Sequence, residues 1–242
     1  RSEIIRGTEN RHYRLNNFTY RNADLYPTHG VGPMAKMLNI NKGNRFTALV
    51  SMSSKARGLH EYVVEHLGPE HSQIDTQFAQ GDITTTMIKC ARGETILLTH
   101  DCSLPRPYSR GQRVQGTLGI WMEDKNALHF DDFDGERWAP MSEYLEKYDH
   151  PVWRDFINDG VRGGHGGMDY LVQRSFIDAI KASRQTPIDV YDSVAWMAIT
   201  ALSEDSIACG SAPVPFPDFT NGKWIRNQPV ADNYWSLDGL SN

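Results

Sequence analysis

A strand–turn–strand pattern between residues 84 and 101 limits the possible fold more than any other part of this sequence. Residues 84–90 and 94–101 are rich in β-branched side chains, and the short turn Ala91-Arg92-Gly93 separates them. Two such runs around a glycine-containing turn are typical of a β-hairpin. We therefore expect an antiparallel sheet at the centre of the fold.

Further strands are expected on both sides of this hairpin. The run 46–52 predicts one strand, and residues 113–121 and 127–131 predict a strand pair joined through Asp124-Lys125-Asn126. Together with the hairpin, this pair predicts a largely antiparallel sheet. Residues 1–25 are polar and lack a sustained period, so we expect short strand and irregular loop there.

Apolar residues at helical spacing predict helices around the sheet. One helix is expected to begin just after His29, and the others are expected at 55–67, 141–148, 151–159, 169–182 and 189–209. The two longest helices carry apolar stripes, which are Val172, Phe176, Ala179 and Ile180 in one and Val190, Val194, Met197, Ala201 and Leu202 in the other. These stripes predict that the helices cover one face of the sheet.

The C-terminal part of the chain has a different composition, rich in proline. The run Pro213-Val214-Pro215-Phe216-Pro217 predicts an extended tail over about residues 210–242, because proline disrupts both helices and sheets. No repeat or low-complexity linker interrupts the chain. We therefore expect a single α+β domain over residues 1–242, with a largely antiparallel open β-sheet and helices packed on one face.

The composition excludes several classes of protein. A net charge of -5 argues against a nucleic-acid-binding surface, which needs clustered basic residues. No apolar stretch approaches the roughly 20 residues that a membrane helix requires. The cysteines Cys90, Cys102 and Cys209 stand far apart, so neither a zinc site nor a disulfide scaffold is expected.

Phosphate-binding motifs are also missing. The sequence contains neither GxGxxG nor GxxxxGK[ST], the two patterns whose backbone amides cradle phosphates. The chain begins at Arg1 without an initiator methionine, and we expect it to be part of a longer protein. Any nucleotide would then be held mainly by another domain.

The segment from Asp24 to Gly30 is the first candidate site. Pro27 holds Tyr26 in an extended conformation, and a helix is expected to start after His29. A histidine near a helix N-terminus favours its neutral form, which can accept a proton. Tyr26 and His29 are close enough in sequence to act on one small ligand. The alternative is a capping histidine and a core tyrosine in a turn.

Two further segments are candidates. Four glycines bracket His165 between residues 163 and 167, and such a loop permits close approach of a ligand, although a tight turn with local packing is equally consistent. The segment 103–110 places Tyr108 between Arg106 and Arg110, a combination that suits sugar rings unless the arginines are simply solvated. No carboxylate pair suited to ordinary glycoside hydrolysis can be distinguished.

Taken in order, these segments and several others resemble one family. The matching blocks are Arg14, Arg21-Asn22, Asp24–Gly30, Ser51–Ser54, Arg106–Arg110, Tyr148–Pro151, Gly163–Asp169 and Phe216–Thr220. They resemble glycoside hydrolase family 109, the NAD-dependent α-N-acetylgalactosaminidases of the Gfo/Idh/MocA oxidoreductase superfamily. The resemblance extends over nearly the whole chain.

The resemblance implies a two-domain enzyme. Its N-terminal Rossmann domain binds NAD, and its C-terminal α+β domain supplies the substrate pocket and an oligomer interface through the open sheet. This chain corresponds to the second domain, so NAD would be held mainly by the N-terminal domain, which this chain lacks. By position, the family's substrate contacts are Arg14, Tyr26, Pro27, Thr28, His29 and Tyr108. Tyr26 also matches a position at the nicotinamide end of NAD, and His165 matches a histidine placed near the pocket.

The resemblance also implies a mechanism without a carboxylate pair. NAD oxidises the C3 hydroxyl of the sugar, the glycosidic oxygen leaves by elimination, water adds, and the reduced cofactor restores the hydroxyl. We hypothesise that His29 transfers protons with Tyr26 as its partner, and that Arg14 and Tyr108 position the substrate. Without the NAD-binding domain, the chain alone is expected to be inactive.

Two other functions remain open at this point. One is a sugar dehydrogenase of the same superfamily, and the other is a non-catalytic carbohydrate-binding or assembly module. The expected partners are a carbohydrate and further copies of the chain, but no nucleic acid, membrane or metal. The location is left open between an exported or periplasmic protein and a cytoplasmic one.

Overall fold

A computed structural model of the chain describes residues 1–7, 13–230 and 234–238. Its α-helices are α1 (Ser2–Arg6), α2 (Tyr13–Tyr20), α3 (Thr28–Met37), α4 (Gly58–His66), α5 (Ser142–Tyr148), α6 (Pro151–Asn158), α7 (Met168–Lys181) and α8 (Val190–Ala208). Its strands are β1 (Phe46–Ser53), β2 (Ile83–Cys90), β3 (Thr95–Asp101), β4 (Arg113–Gly116), β5 (Gly119–Met122), β6 (Ala127–Phe130), β7 (Ala139–Pro140) and β8 (Val214–Pro215). Short 3-10 helices cover His165–Gly167 and Lys223–Ile225.

The chain divides into two compact units. The first contains Arg1–Arg106, Ile188–Ala231 and Leu237–Asn242, and the second contains Pro107–Pro187 and Asp232–Ser236. The single domain expected over residues 1–242 stays a prediction, because compactness does not tell whether each unit folds by itself.

The first unit is built on the predicted hairpin. Strands β2 and β3 pair antiparallel, and the sheet continues in the order β3-β2-β1-β8. Alternate residues of the strands are buried, among them Leu49, Ile88 and Leu98. They pack with residues of α3 and α8, so helices cover one face of an open antiparallel sheet. The predicted α+β class is confirmed.

Helix α8 buries a different face from the predicted one. Val190, Val194 and Met197 are exposed, and the buried side chains are Asp192, Ala195, Trp196, Ile199, Thr200, Ser203 and Ser206. Half of that face is polar because these groups bond to the backbone of other segments. For example, the Ser206 hydroxyl accepts a hydrogen bond from the Ser51 N–H at 2.9 Å. Because this face contains polar residues, the apolar periodicity of the sequence does not indicate it.

The N-terminal region differs from the short strand and irregular loop expected there. Residues 1–25 contain helices α1 and α2 rather than strand, although residues 8–12 lie outside the described part. Ile4, Ile5 and Phe18 pack there with Leu59 and Val63 of α4 into a separate apolar cluster. Tertiary packing therefore stabilises short helices whose own sequence pattern is weak.

Helix α4 begins later than predicted, at Gly58 rather than residue 55. The Asp82 carboxylate accepts hydrogen bonds from the backbone N–H groups of Arg57 and Gly58 at 3.0 and 2.9 Å. A side chain from a distant loop therefore caps this helix. The N-terminus could not be located from the local sequence for that reason.

The second unit contains a separate sheet. Its strand order is β4-β5-β6-β7, and all pairs are antiparallel. The single strand predicted at 113–121 is wrong, because the chain turns at residues 117–118 and forms the hairpin of β4 and β5. Helices α5, α6 and α7 follow as predicted. However, Val172, Phe176 and Ile180 of α7 are exposed, so the stripe expected to cover a sheet is wrong for this helix.

The C-terminal region is more ordered than the predicted extended tail. Val214 and Pro215 form the edge strand β8 on β1. Further on, Asp238 lies between Lys36 and Lys42, at 3.2 Å from the Lys36 Nζ. Lys36 also pairs with Asp192 of α8 at 2.6 Å. In the described part of the chain, no helix is both long and apolar enough to cross a membrane.

Candidate functional site

The backbone that leads to Tyr26 is held by buried hydrogen bonds. The Asp24 N–H donates to the Ser203 hydroxyl at 2.9 Å, and the Thr200 hydroxyl donates to the Asp24 carbonyl at 2.8 Å. Just before them, the Ala23 N–H donates to the side-chain oxygen of Gln80 at 3.0 Å. Helix α8 therefore holds the Asp24 backbone through two hydrogen bonds, and Gln80 holds the Ala23 backbone.

An ion pair adds to this anchor. The Arg21 guanidinium contacts both carboxylate oxygens of Glu204, with a shortest distance of 2.6 Å from Nη2 to Oε2. A bidentate contact of this kind restrains orientation as well as distance. The segment that leads to Tyr26 is thus attached to α8 at two residues, Arg21 and Asp24.

Tyr26 and His29 form a stacked pair at the start of α3. Pro27 is the N-cap residue, with a φ of -70°, and the helix begins at Thr28 rather than after His29 as predicted. Tyr26 therefore lies just before the N-cap, three residues ahead of His29, and the two ring centroids lie 4.7 Å apart at an interplanar angle of 24°. Tyr26 is half exposed and His29 is exposed, whereas Pro27 is buried. The pair presents an aromatic face to the surface.

Arg14 is a further residue that the sequence predicts to contact the substrate. It lies in the first turn of α2, half-buried, and its Nη1 is 3.1 Å from a Glu3 carboxylate oxygen. A hydrogen bond with the Tyr13 side chain raises the pKa of Arg14, and electrostatic interactions with Tyr13, Tyr26 and Glu3 act in the same direction. Arg14 and Tyr26 therefore interact electrostatically, and the substrate role of Arg14 stays a prediction.

Asp24 is a buried acid to which the sequence analysis assigned no role. Burial raises its pKa to about 6, and a hydrogen bond from the Tyr26 backbone N–H opposes that rise. Aspartate side chains often bond the backbone N–H two residues on, a pattern called an Asx turn. In the sequence, the available signal was an aspartate, Asp24, two residues before Tyr26.

Tyr108 lies in the second unit. Its ring is 86% exposed, and the Arg110 Nε donates to its hydroxyl at 3.3 Å. The other flanking arginine, Arg106, pairs instead with Asp101 at 3.1 Å in the first unit. Tyr108 thus has one arginine contact, and Arg106 is attached to the end of β3.

His165 also lies in the second unit, within the glycine-rich loop. Its Nδ1 is 2.9 Å from a carboxylate oxygen of Asp169 in the first turn of α7, and both side chains are exposed. The loop needs its glycines, since Gly167 has a φ of 99° and a Cβ there would lie 2.1 Å from the Phe156 ring. The local packing that we considered as the alternative is therefore present, and the substrate role of His165 stays a prediction.

The described residues do not form a cradle for a dinucleotide. All pairs of strands in both sheets are antiparallel, so they lack the strand–helix crossover whose first turn binds pyrophosphate. Tyr26 offers a half-exposed aromatic face that fits contact with a flat ring. Within the described part, no group of three or more histidine, cysteine or acidic residues is placed to hold a metal ion.

Comparison with known proteins places this α+β domain in a family. Residues 4–226 match the model of the glycosyl hydrolase 109 C-terminal domain. The chain therefore belongs to the glycosyl hydrolase 109 family, as the resemblance predicted.

Several relatives are closely similar. The chain is 50% identical over 219 residues to an α-N-acetylgalactosaminidase of Tannerella forsythia, covering 90% of this chain and 47% of that protein. It is 45% identical over 227 residues to a glycosyl hydrolase family 109 protein of Stenotrophomonas maltophilia, covering 93% and 50%. The chain thus spans about half the length of the curated relatives that it matches.

Solved structures are more distant. An oxidoreductase domain protein from Kribbella flavida has a TM-score of 0.45 at 15% identity, covering 73% of this chain and 46% of that chain. An inositol dehydrogenase homolog from Azotobacter vinelandii, complexed with NAD+, has a TM-score of 0.42 at 14% identity, covering 72% and 43%. Likenesses at this level carry no argument about function.

Proposed function

We propose that the chain is the substrate domain of an NAD-dependent glycosidase that releases terminal α-N-acetylgalactosamine. The observation that carries the proposal is the stacked pair of Tyr26 and His29 at the start of α3, in a chain from the glycosyl hydrolase 109 family. The printed name of the Tannerella forsythia relative supports the choice of substrate.

In this proposal each residue of the cluster has a defined task. His29, exposed in the first turn of α3, accepts a proton from the sugar and returns it later. Tyr26 stacks on His29, orients it, and contacts both the sugar and the nicotinamide ring. Arg14 donates hydrogen bonds to the sugar or its acyl group. Pro27 and Thr28 shape the turn against the substrate.

Two residues of the second unit are also proposed to contact the substrate. Tyr108 offers an exposed aromatic ring, the usual platform for the apolar face of a sugar. His165 offers an exposed imidazole that Asp169 orients. When bound, NAD would supply the hydride chemistry at the sugar, with uptake and later return of the hydride, so that the net reaction would be hydrolysis. We propose that NAD is held mainly by a domain other than this chain.

Turnover of an aryl α-N-acetylgalactosaminide by the full-length protein tests this function. His29→Ala should lower kcat about 10²- to 10⁴-fold, the usual contribution of a general acid or base. The matched control is His66→Ala, since His66 contacts the Tyr62 ring at 4.8 Å on α4 and lies outside the site. Equal activity of both variants would contradict the role of His29.

The same assay separates the other two functions. A sugar dehydrogenase would accumulate reduced NAD with the free sugar and release no aglycone. A binding module would bind N-acetylgalactosamine without any turnover. Release of aglycone without accumulation of reduced NAD is the result that supports the glycosidase.

We also propose that copies of the chain associate through the open sheet. On the face opposite the helices, Met52, Met87 and Leu97 are 65%, 50% and 63% exposed, and Met87 lies directly across from Leu97. Adjacent exposed apolar side chains of this kind mark interaction surfaces. Leu97→Lys should lower the molar mass measured by light scattering, whereas Val64→Lys on α4 should not. A mass unchanged by Leu97→Lys would overturn this interface.

A further inference from the structure

Gln80 and Gly81 lie beside the segment that leads to the candidate site. The Gln80 N–H donates to the Phe18 carbonyl at 3.0 Å, and the Gly81 N–H donates to the Asn22 side-chain oxygen at 3.1 Å. Strand β1 also approaches closely here, because a Cβ at Gly81 would lie 2.2 Å from the Ser53 Oγ. These two residues therefore contact both the central sheet and the segment that enters the site.

The side chain of Gln80 strengthens this link, and it is almost completely buried. Its Oε1 accepts a hydrogen bond from the Ala23 N–H at 3.0 Å. Its Nε2 donates to the Thr84 hydroxyl at 2.9 Å and to the Gly81 carbonyl at 3.3 Å. Since Thr84 is a fully buried residue of β2, one side-chain amide joins the sheet to the Ala23 backbone.

Only an amide of this length satisfies all of these groups. An ionised glutamate accepts hydrogen bonds but donates none, and methionine has no N–H or O–H group to donate. Asparagine has the amide but is one methylene shorter. Any of these replacements would leave buried polar groups of the backbone or of Thr84 without a partner, which is costly.

The residue after Ala23 is held by a different element. The Asp24 N–H and carbonyl bond to Ser203 and Thr200 of α8 at 2.9 and 2.8 Å. Two neighbouring peptide units are thus held by the sheet and by a helix. A single residue separates this anchored backbone from Tyr26, so a shift of the anchor is passed on to the Tyr26 ring.

We propose that Gln80 is a positioning residue of the candidate site. Its amide holds the Ala23 backbone against β2, and this sets the position from which Tyr26 stacks on His29. The catalytic consequence rests on the proposed function. The geometric part does not, because the stack can be observed without turnover.

The stack can be followed by NMR of the protein labelled in its histidine rings. The Tyr26 ring shifts the His29 ring protons upfield. His29→Gln assigns that signal, and Tyr26→Leu gives its position without the stack. Gln80→Met, which keeps the length of the side chain but loses all its hydrogen bonds, should move the signal toward the position found in Tyr26→Leu.

The matched control is Asn44→Ala. Asn44 is also fully buried, and its amide donates to the Leu38 carbonyl at 3.0 Å and accepts from the Arg45 N–H at 2.9 Å, beyond the C-terminal end of α3. Its loss should lower stability in the same way and leave the His29 signal in place. The comparison therefore separates positioning from a general loss of stability.

Two results would overturn the proposal. They are an unchanged His29 signal in Gln80→Met and an equal displacement of that signal in Asn44→Ala. If Gln80→Met does not fold, the milder Gln80→Asn decides instead. A signal displaced toward the Tyr26→Leu position supports the role of Gln80, and an unchanged signal contradicts it.

In the full-length protein, Gln80→Met should lower kcat by about tenfold or more and change KM less, because a misplaced catalytic group loses rate steeply. Asn44→Ala should leave kcat unchanged. If the NMR results hold while His29→Ala remains fully active, the proposed function fails and the positioning of Tyr26 by Gln80 stands.

Discussion

The Asp24–His29 turn and the loop around His165 each place a histidine close to the N-terminus of a helix, but by different means. In the first, buried hydrogen bonds to Ser203 and Thr200 hold the backbone. In the second, glycines with positive φ shape the loop, and an exposed Asp169 holds the imidazole. Similar sequence patterns can therefore be stabilised by contacts of very different strength. Burial strengthens polar contacts, whereas water weakens polar contacts at the surface.

Substitution of Gly167 should have the largest effect on stability in this comparison. Gly167→Ala forces a positive φ on alanine and brings its Cβ to 2.1 Å from the Phe156 ring, so we expect a loss of about 3 kcal/mol. Gly166→Ala, with a φ of 65° and open space around its Cβ, should lose about 1 kcal/mol. Hydrogen exchange of the α7 amides measures both, and equal losses would show that the contact with Phe156 is unimportant.

The pH dependence of stability should reveal the buried acid of the first turn. The pKa of Asp24 in the folded protein is about 6 against an ordinary value of 3.8, so folding favours its protonated form. Its contribution to stability is complete below about pH 4 and is lost as the pH rises through 6. The difference of about 2 pH units corresponds to about 3 kcal/mol, at 1.36 kcal/mol per unit.

Asp24→Asn removes this titration. The free energy of unfolding of the variant, minus that of the unmodified protein, should therefore increase by up to about 3 kcal/mol between pH 4 and pH 7. Urea unfolding at a series of pH values measures that difference. A difference that stays constant with pH would show that Asp24 does not titrate in this range.

Loss of one anchor should cost less. Thr200→Val removes the hydroxyl that donates to the Asp24 carbonyl and leaves that buried oxygen with one partner fewer, at a cost of about 1–2 kcal/mol. Thr19→Val is the control, because the Thr19 hydroxyl bonds the Leu15 carbonyl one turn earlier in α2. Its loss should change the free energy of unfolding by less than about 0.5 kcal/mol. Equal effects would argue against a special role of the anchor.

The smallest effect is expected at the second histidine. Asp169→Asn weakens an exposed contact with His165 and should change stability by about 0.5 kcal/mol. Salt should reduce even this effect, since exposed charges are screened. A loss above about 2 kcal/mol would mean that this loop is supported as firmly as the Asp24 turn.

Much of the fold was predictable because local patterns carried it. The hairpin of β2 and β3 follows from β-branched runs around Gly93, and α7 and α8 were placed within one or two residues of their observed ends. The cluster of Tyr26 and His29 was also singled out from the sequence. These features depend on contacts between residues close in the chain.

The predictions that failed depend on contacts between distant residues. Helix α1 and helix α2 form because Phe18 and its neighbours pack against α4. The buried face of α8 is polar because Thr200 and Ser203 bond to a segment about 176 to 179 residues away in the sequence. Periodicity cannot reveal a partner of this kind.

The sequence by itself determined the α+β class, the central hairpin and the Tyr26–His29 turn, since turn residues and side-chain periodicity act locally. Only the tertiary structure decided that Arg14 and Tyr26 interact electrostatically and that Asp24 is a buried acid. The reason is physical: burial and hydrogen bonding to α8 arise only when distant segments pack together, and they determine both the charge of Asp24 and the rigidity of the turn.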